Sequence, residues 1–456
     1  MTRYEPASDG TLAAMTTLSL PPDHPDRASL AGEVHARPPE ALATPSRATY
    51  VAVIVDHAER ADELVHLEQL CRSAGVAGPA AGASHFTISL GAVRMKWERH
   101  GEFSGYAFFM AGSSPTPFSD PPAAHLPAGW LETLPGRTIF AAHAKLVPAP
   151  AVTAPDAAFL ARHFGDHVVI GAAVGGGAGD AYTDFRIHDD GFARFLVLDR
   201  SFTDRQAGRV LQRLFEIEAY RMLSLLALPL ARELSQRLVA IERALADNID
   251  GIARDGVDDE AILHELTRLA KEVESCIVTT QFRFGACAAY HELVTSRIGE
   301  LREERRPGLQ TIGEFMARRF SPAVATVAST SRRLHELSER SAQASMLLST
   351  RVGVAREKQS QALLASMDRR ARLQLRLQQT VERLSVAAIL YYAAGLVGYV
   401  AKALKAGGFI MLEPDIVVGA AIVPLALLLV LGLGRIRRRL VERDAADAAT
   451  SRRVMN

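Results

Sequence analysis

Two short stretches hold the residue types that acid–base or metal chemistry requires. In EVHARPPE (33–40), Glu33, His35 and Arg37 occupy alternate positions ahead of Pro38 and Pro39. Alternate side chains of an extended segment project to one side, so a carboxylate, an imidazole and a guanidinium would converge there. That trio fits a metal or anion site; the simpler reading is a structural arm held by an arginine–carboxylate contact. In WERHGEF (97–103), His100 and Glu102 stand two apart at or just past a strand end, and the same two readings apply.

Nothing else nominates an active site. No GxSxG, HExxH or Ser/His/Asp order is visible. The run Gly175-Gly176-Gly177-Ala178-Gly179 lacks the GxxxxGK[ST] pattern. A strand rather than a helix is predicted after it, so it reads as an inter-strand loop and not a phosphate cradle. Cys71, Cys276 and Cys287 lack paired CxxC spacing and are too scattered for a disulfide framework, which suits a reducing compartment. No enzyme, cofactor or metal is therefore expected.

The elements that must position these residues differ along the chain. Residues 1–25 read as a polar, disordered start without a signal-peptide core. Residues 26–203 alternate short apolar runs with turn residues. Strands are predicted at Ala48–Val55, His85–Leu90, Val93–Arg99, Gly105–Met110, Arg137–Val147, Val168–Val174, Ala181–His188 and Ala193–Leu198, with helices at Ala58–Ala74 and Pro155–Phe164. Asp189-Asp190-Gly191 marks a hairpin turn. Hairpins dominate, so the class is α+β with a mixed or antiparallel sheet.

Residues 204–383 have long-helix composition. One helix is predicted from about Asp204 to Ile249, interrupted at Pro229, and a second from about Asp259 to Arg305. A third stretch runs from Thr311 past Pro322 toward the C-terminus. Its apolar residues (Leu364, Met367, Ala371, Leu375) recur at coiled-coil intervals. A continuous helix from Pro322 to Leu404 would be on the order of 120 Å long. The charge-rich LREERR (301–306) and MARRF (316–320) read as solvated helix faces, and a net charge of +1 gives no nucleic-acid signal.

Residues 384–434 read as a two-span hairpin, 384–404 and 416–434. LSVAAILYYAAGLVGYVA (384–401) and IVVGAAIVPLALLLVLGLG (416–434) carry no charge. Each is about long enough to cross a ~30 Å hydrocarbon core. Arginines flank both: Arg369, Arg370, Arg372, Arg376 and Arg383 before the first, Arg435, Arg437, Arg438, Arg439 and Arg443 after the second. The connecting loop sets Lys402 and Lys405 against Glu413 and Asp415. The positive-inside rule then puts both termini and the basic tail (435–456) in the cytoplasm, with the loop outside. Arg383, Arg435, Arg437, Arg438 and Arg439 are expected to contact lipid head groups. In the first span Ala387, Ala394 and Ala401 give a small-residue face that admits another helix. Ser385, Tyr392 and Tyr399 give a hydroxyl face, read as a helix interface or a pore lining. No ionisable residue lies mid-span, which weighs against a proton relay.

HPDRASLAGEVHARPPE (24–40), KWERHGEF (96–103), RLFEIEAYRMLSLLALPLAR (213–232) and QLRLQQTVERLSVAAILYY (374–392) resemble a bacterial family of uncharacterised membrane-anchored proteins, over nearly the whole chain. That resemblance implies the topology and no chemistry. The architecture is also similar to CorA-type divalent-cation channels, but GYVAKAL (398–404) stands where their Gly-Met-Asn signature falls. Three functions follow as expectations: a membrane-anchored scaffold or sensor of the bacterial inner membrane, an oligomeric channel or transporter, or a tethered enzyme. The first ranks highest. Membrane lipids and further copies of the chain are the expected partners, and nucleic acid is not.

Overall fold

The computed structural model describes residues 21–27, 30–31, 38–80, 82–150, 155–252, 258–432 and 435. The chain divides into two units, Met1–Met346 and Leu347–Asn456.

The first unit is built on one nine-stranded sheet: β1 (Ser46–Ile54), β2 (His85–Leu90), β3 (Val93–Arg99), β4 (Phe103–Ala111), β5 (Arg137–Pro148), β6 (Ile170–Val174), β7 (Gly179–Thr183), β8 (Ala193–Asp199) and β9 (Glu304–Arg305). Their order is β2-β3-β4-β1-β5-β8-β7-β6-β9. The β5–β8 pair is parallel and the other neighbours are antiparallel, so the sheet is mixed.

Both faces of the central strands are covered. In β1, Ala48, Tyr50 and Ala52 join a core with Phe195, Leu211, Leu214 and Phe215. Val51 and Val53 point the other way, into a core with Leu67, Leu70, Trp97, Tyr106 and Phe108. This is the period-2 alternation of a strand buried on two sides. Helix α1 (Arg60–Ser73) supplies Leu67, Leu70 and Cys71 to the second core. A short helix, α2 (Ala157–Phe164), packs Leu160 and Phe164 against Tyr182, Leu196 and Leu198.

Helices α3 (Asp204–Leu225), α4 (Ala227–Ile252), α5 (Asp259–Leu301) and α6 (Ile312–Arg319) follow. Thr203 and Gln206 close a capping box at the start of α3, and Thr311 and Glu314 close another at α6. The break predicted at Pro229 falls at Leu226. Pro229 lies in the first turn of α4, where its missing N–H costs no helical bond.

Two sequence expectations are corrected. Helix α5 ends at Leu301 rather than Arg305, because Arg302 adopts a left-handed conformation (φ 49°). LREERR is therefore not a solvated helix face: Glu304 and Arg305 form β9 and pair with β6. The strand predicted at Ala181–His188 stops at Thr183. There the Thr183 hydroxyl accepts the Phe185 N–H (3.2 Å), the Asp184 carboxylate accepts the Arg186 N–H (3.2 Å), and Phe185 turns to φ 52°. These local side-chain bonds compete with the ladder.

Helix α7 is unbroken from Ser321 to Ala406. Its early residues Val327, Leu334 and Leu337 are buried in the first unit. Within the second unit, α8 (Pro414–Gly432) packs on the end of α7. A side chain added at Gly398 would meet Val418 Cγ2 at 3.2 Å, and Ala401 is buried. Part of the small-residue face thus serves this intrachain contact, while Ala387 is exposed.

Candidate functional site

Three of the quoted motifs converge on one cleft. Its floor is aromatic: Tyr50 of β1 stacks on Phe215 of α3 with centroids 5.0 Å apart, beside Phe103 and Phe109. Its walls carry Glu40, Lys96, Glu98, His100, Gln212 and Glu216. Lys96 is 6% exposed, lies 2.9 Å from Glu98 and donates to the Pro38 carbonyl at 2.9 Å. Arg94 lies 2.9 Å from Glu40. Gln212 donates to Glu216 at 2.7 Å, and Glu216 also pairs with Arg297 of α5. Burial raises the Tyr50 phenol, and the nearby Tyr220, Glu98 and Glu216 push it the same way.

Each wall carboxylate thus has a cation beside it. That balance leaves no strong ionic preference for a ligand. With its open mouth the cleft spans about 470 Å³, lined closely by these side chains. The arrangement seats the chain around residues 38–42 on the sheet and α3 rather than forming a ready small-molecule cavity. Leu42 N donates to the Asp204 carbonyl at 3.0 Å.

The end of β3 leading to His100 is anchored by a buried carboxylate. Glu63 of α1 accepts from Trp97 Nε1 (2.9 Å), Tyr106 Oη (2.8 Å) and Arg99 (3.1 Å). Burial and the adjacent Glu63 push the Tyr106 phenol far up, so it stays a donor.

The predicted residues separate. His100 lines the cleft and stacks on Phe103 with centroids 4.3 Å apart. Glu102 instead meets Arg283 of α5 at 2.7 Å and bonds Tyr290. Glu33, His35 and Arg37 lie outside the described residues. The glycine run forms the β6–β7 connection, with Gly175, Gly176 and Gly177 all at positive φ.

A different cluster escaped sequence reading. His167 Nδ1 and His188 Nε2 both approach Asp184 Oδ2, at 2.6 and 2.9 Å. Asp184 and His188 fall in the turn after β7 and His167 in the loop before β6, 17 residues upstream of Asp184. The available signal was the DxxxH spacing at 184–188, obscured by extending the strand through it.

In the second unit, 6% of the apolar stretch of α7 is buried and none of that of α8. Both helices are long and apolar enough to cross a membrane. Core helices of a soluble domain would be mostly covered. Tyr392 and Tyr399 are exposed, and Ser385 Oγ donates to the Val381 carbonyl at 2.9 Å, so that hydroxyl is satisfied within its own helix. Lys405 pairs with Glu413 at 2.8 Å in the loop. Arg383 and Arg435 are exposed; Arg437, Arg438 and Arg439 lie outside the described residues.

No curated protein and no solved structure matches the chain. The likeness to CorA-type channels accordingly finds no support. A family model described as a protein of unknown function (DUF3422) matches residues 22–440. The extent of that match, across both units, means that the chain belongs to the DUF3422 family.

Proposed function

We propose that the protein is a non-enzymatic integral membrane protein of the bacterial inner membrane, a scaffold or sensor whose cytoplasmic α+β domain is joined by α7 to a two-span hairpin. One observation carries this reading. A single helix begins with residues buried in the core of the first unit (Val327, Leu334, Leu337) and ends in a largely exposed, uncharged run at 384–400. A breaker-free helix of this kind suits mechanical coupling between a domain and a bilayer.

The flanking charge supports the orientation. Lys405 is neutralised by Glu413, while five arginines between 369 and 383 precede the first span. Both termini are then cytoplasmic and the loop is outside. The exposed apolar residues Leu364, Met367 and Leu375 support self-association through α7, as a homo-oligomer.

Membrane fractionation tests the reading. The full chain is expected in a carbonate-resistant membrane pellet, and a chain ending at Met346 in the soluble fraction. Recovery of the full chain as soluble protein would refute it.

A further inference from the structure

We propose that His167, Asp184 and His188 form a binding site for one divalent transition-metal ion. Their three candidate ligand atoms all lie within 4.8 Å of one another. Two of the separations, 2.6 and 2.9 Å, are hydrogen-bond lengths to the same oxygen, Asp184 Oδ2. Ligand atoms about 2.1 Å from a tetrahedral ion stand about 3.4 Å apart. Opening these pairs by less than 1 Å therefore makes room for the ion, a shift within the reach of side-chain torsions.

The charge around Asp184 argues for a cation. Its carboxylate is fully buried, yet the ion-pair partners it has among the described residues are two imidazoles. Asp180, a buried carboxylate within β7, is treated differently. It takes Arg200 at 2.8 Å and Arg306 at 2.6 Å. A buried carboxylate requires a positive partner. At Asp180 two guanidinium groups provide it; at Asp184 the ion-pair partners among the described residues are imidazoles, which are themselves metal ligands.

The surroundings fix the donors. Asp184 is held by the Arg186 N–H at 3.2 Å through its other oxygen, Oδ1, leaving Oδ2 for the metal. His188 is set by two backbone bonds, its N–H to the Phe192 carbonyl (3.1 Å) and its carbonyl from the Gly191 N–H (2.8 Å). The side chains of His167 and His188 are 34% and 19% exposed, so the site faces solvent on one side and has room for a water as a fourth ligand. Two imidazoles and one carboxylate select zinc and its first-row neighbours; magnesium and calcium prefer all-oxygen shells.

The test is zinc binding by the untagged full chain in detergent, stripped with chelator and titrated against a chromophoric zinc indicator. One zinc per chain is expected. His167→Ala and His188→Ala should each weaken binding at least tenfold. His167 is partly exposed, so His167→Ala should keep the wild-type melting temperature, which separates ligand loss from misfolding. Cobalt added to the stripped wild type should give the visible bands of a four-coordinate site, lost in His188→Ala. Absence of zinc binding by the wild type, or wild-type affinity in either variant, overturns the proposal.

Discussion

The carbonyl oxygen of Glu40 occupies the space beside Gly208 that a side chain would need: a Cβ there would lie 1.6 Å from it. The backbone before β1 and the first turns of α3 are thereby locked together. Gly208→Ala should force them apart, an overpacking cost of about 2 kcal/mol. Thermal melting of the detergent-purified protein is expected to fall by several degrees. An unchanged melting temperature would mean that the segment around Glu40 is not seated on α3.

Glu63 makes a second prediction. Three donors, Trp97 Nε1, Tyr106 Oη and Arg99, converge on this fully buried carboxylate. Glu63→Ala removes the acceptor that the three share and should destabilise by about 3 kcal/mol. Glu63→Gln keeps an acceptor oxygen and should lose less. Denaturation midpoints of the two variants decide the order.

Much of the fold was legible, for identifiable reasons. The strands at His85–Leu90 and Val93–Arg99 have the predicted boundaries because alternation and Gly91 mark them clearly. The unbroken α7 followed from the lack of proline between Pro322 and Leu404. What was missed depends on contacts distant in sequence. Strand β9 has two residues and exists only by pairing with β6. The parallel pairing of β5 with β8 has no local signal. His167 and Asp184 meet only through the turn that follows β7, and a strand drawn through His188 concealed that turn. Near His100, the composition hinted at chemistry, yet the structure sends Glu102 to Arg283.

Acid should expose the burial of His143. This side chain is 4% exposed, stacks on Phe192 at 4.0 Å and lies 3.0 Å from Thr49 Oγ1. Burial, with a smaller push from Arg194, lowers its pKa from 6.5 to about 4. Between those values the unfolded chain binds a proton that the folded chain refuses. The stability this histidine allows is therefore fully present above pH 6.5 and is lost as pH falls toward 4, by up to about 3 kcal/mol. His143→Gln should flatten the fall in melting temperature from pH 7 to pH 4.5 relative to wild type. Parallel curves would show that His143 is solvated.

The contact between Gly398 and Val418 gives a test of the hairpin. A cysteine pair, Gly398→Cys with Val418→Cys, should form an intrachain disulfide under mild oxidation, because a Cβ at position 398 would lie 3.2 Å from Val418 Cγ2. The product should migrate as a single chain whose mobility shifts on reduction. Disulfide-linked dimers without the intrachain form would place the second span against another copy instead.

The central claim is that α7 and α8 cross the membrane with their connecting loop outside. Met411 in that loop is fully exposed, and the natural cysteines Cys71, Cys276 and Cys287 are buried. Met411→Cys should therefore react with a membrane-impermeant maleimide in intact spheroplasts, before any permeabilisation. Labelling that appears only after the membrane is opened would contradict the account.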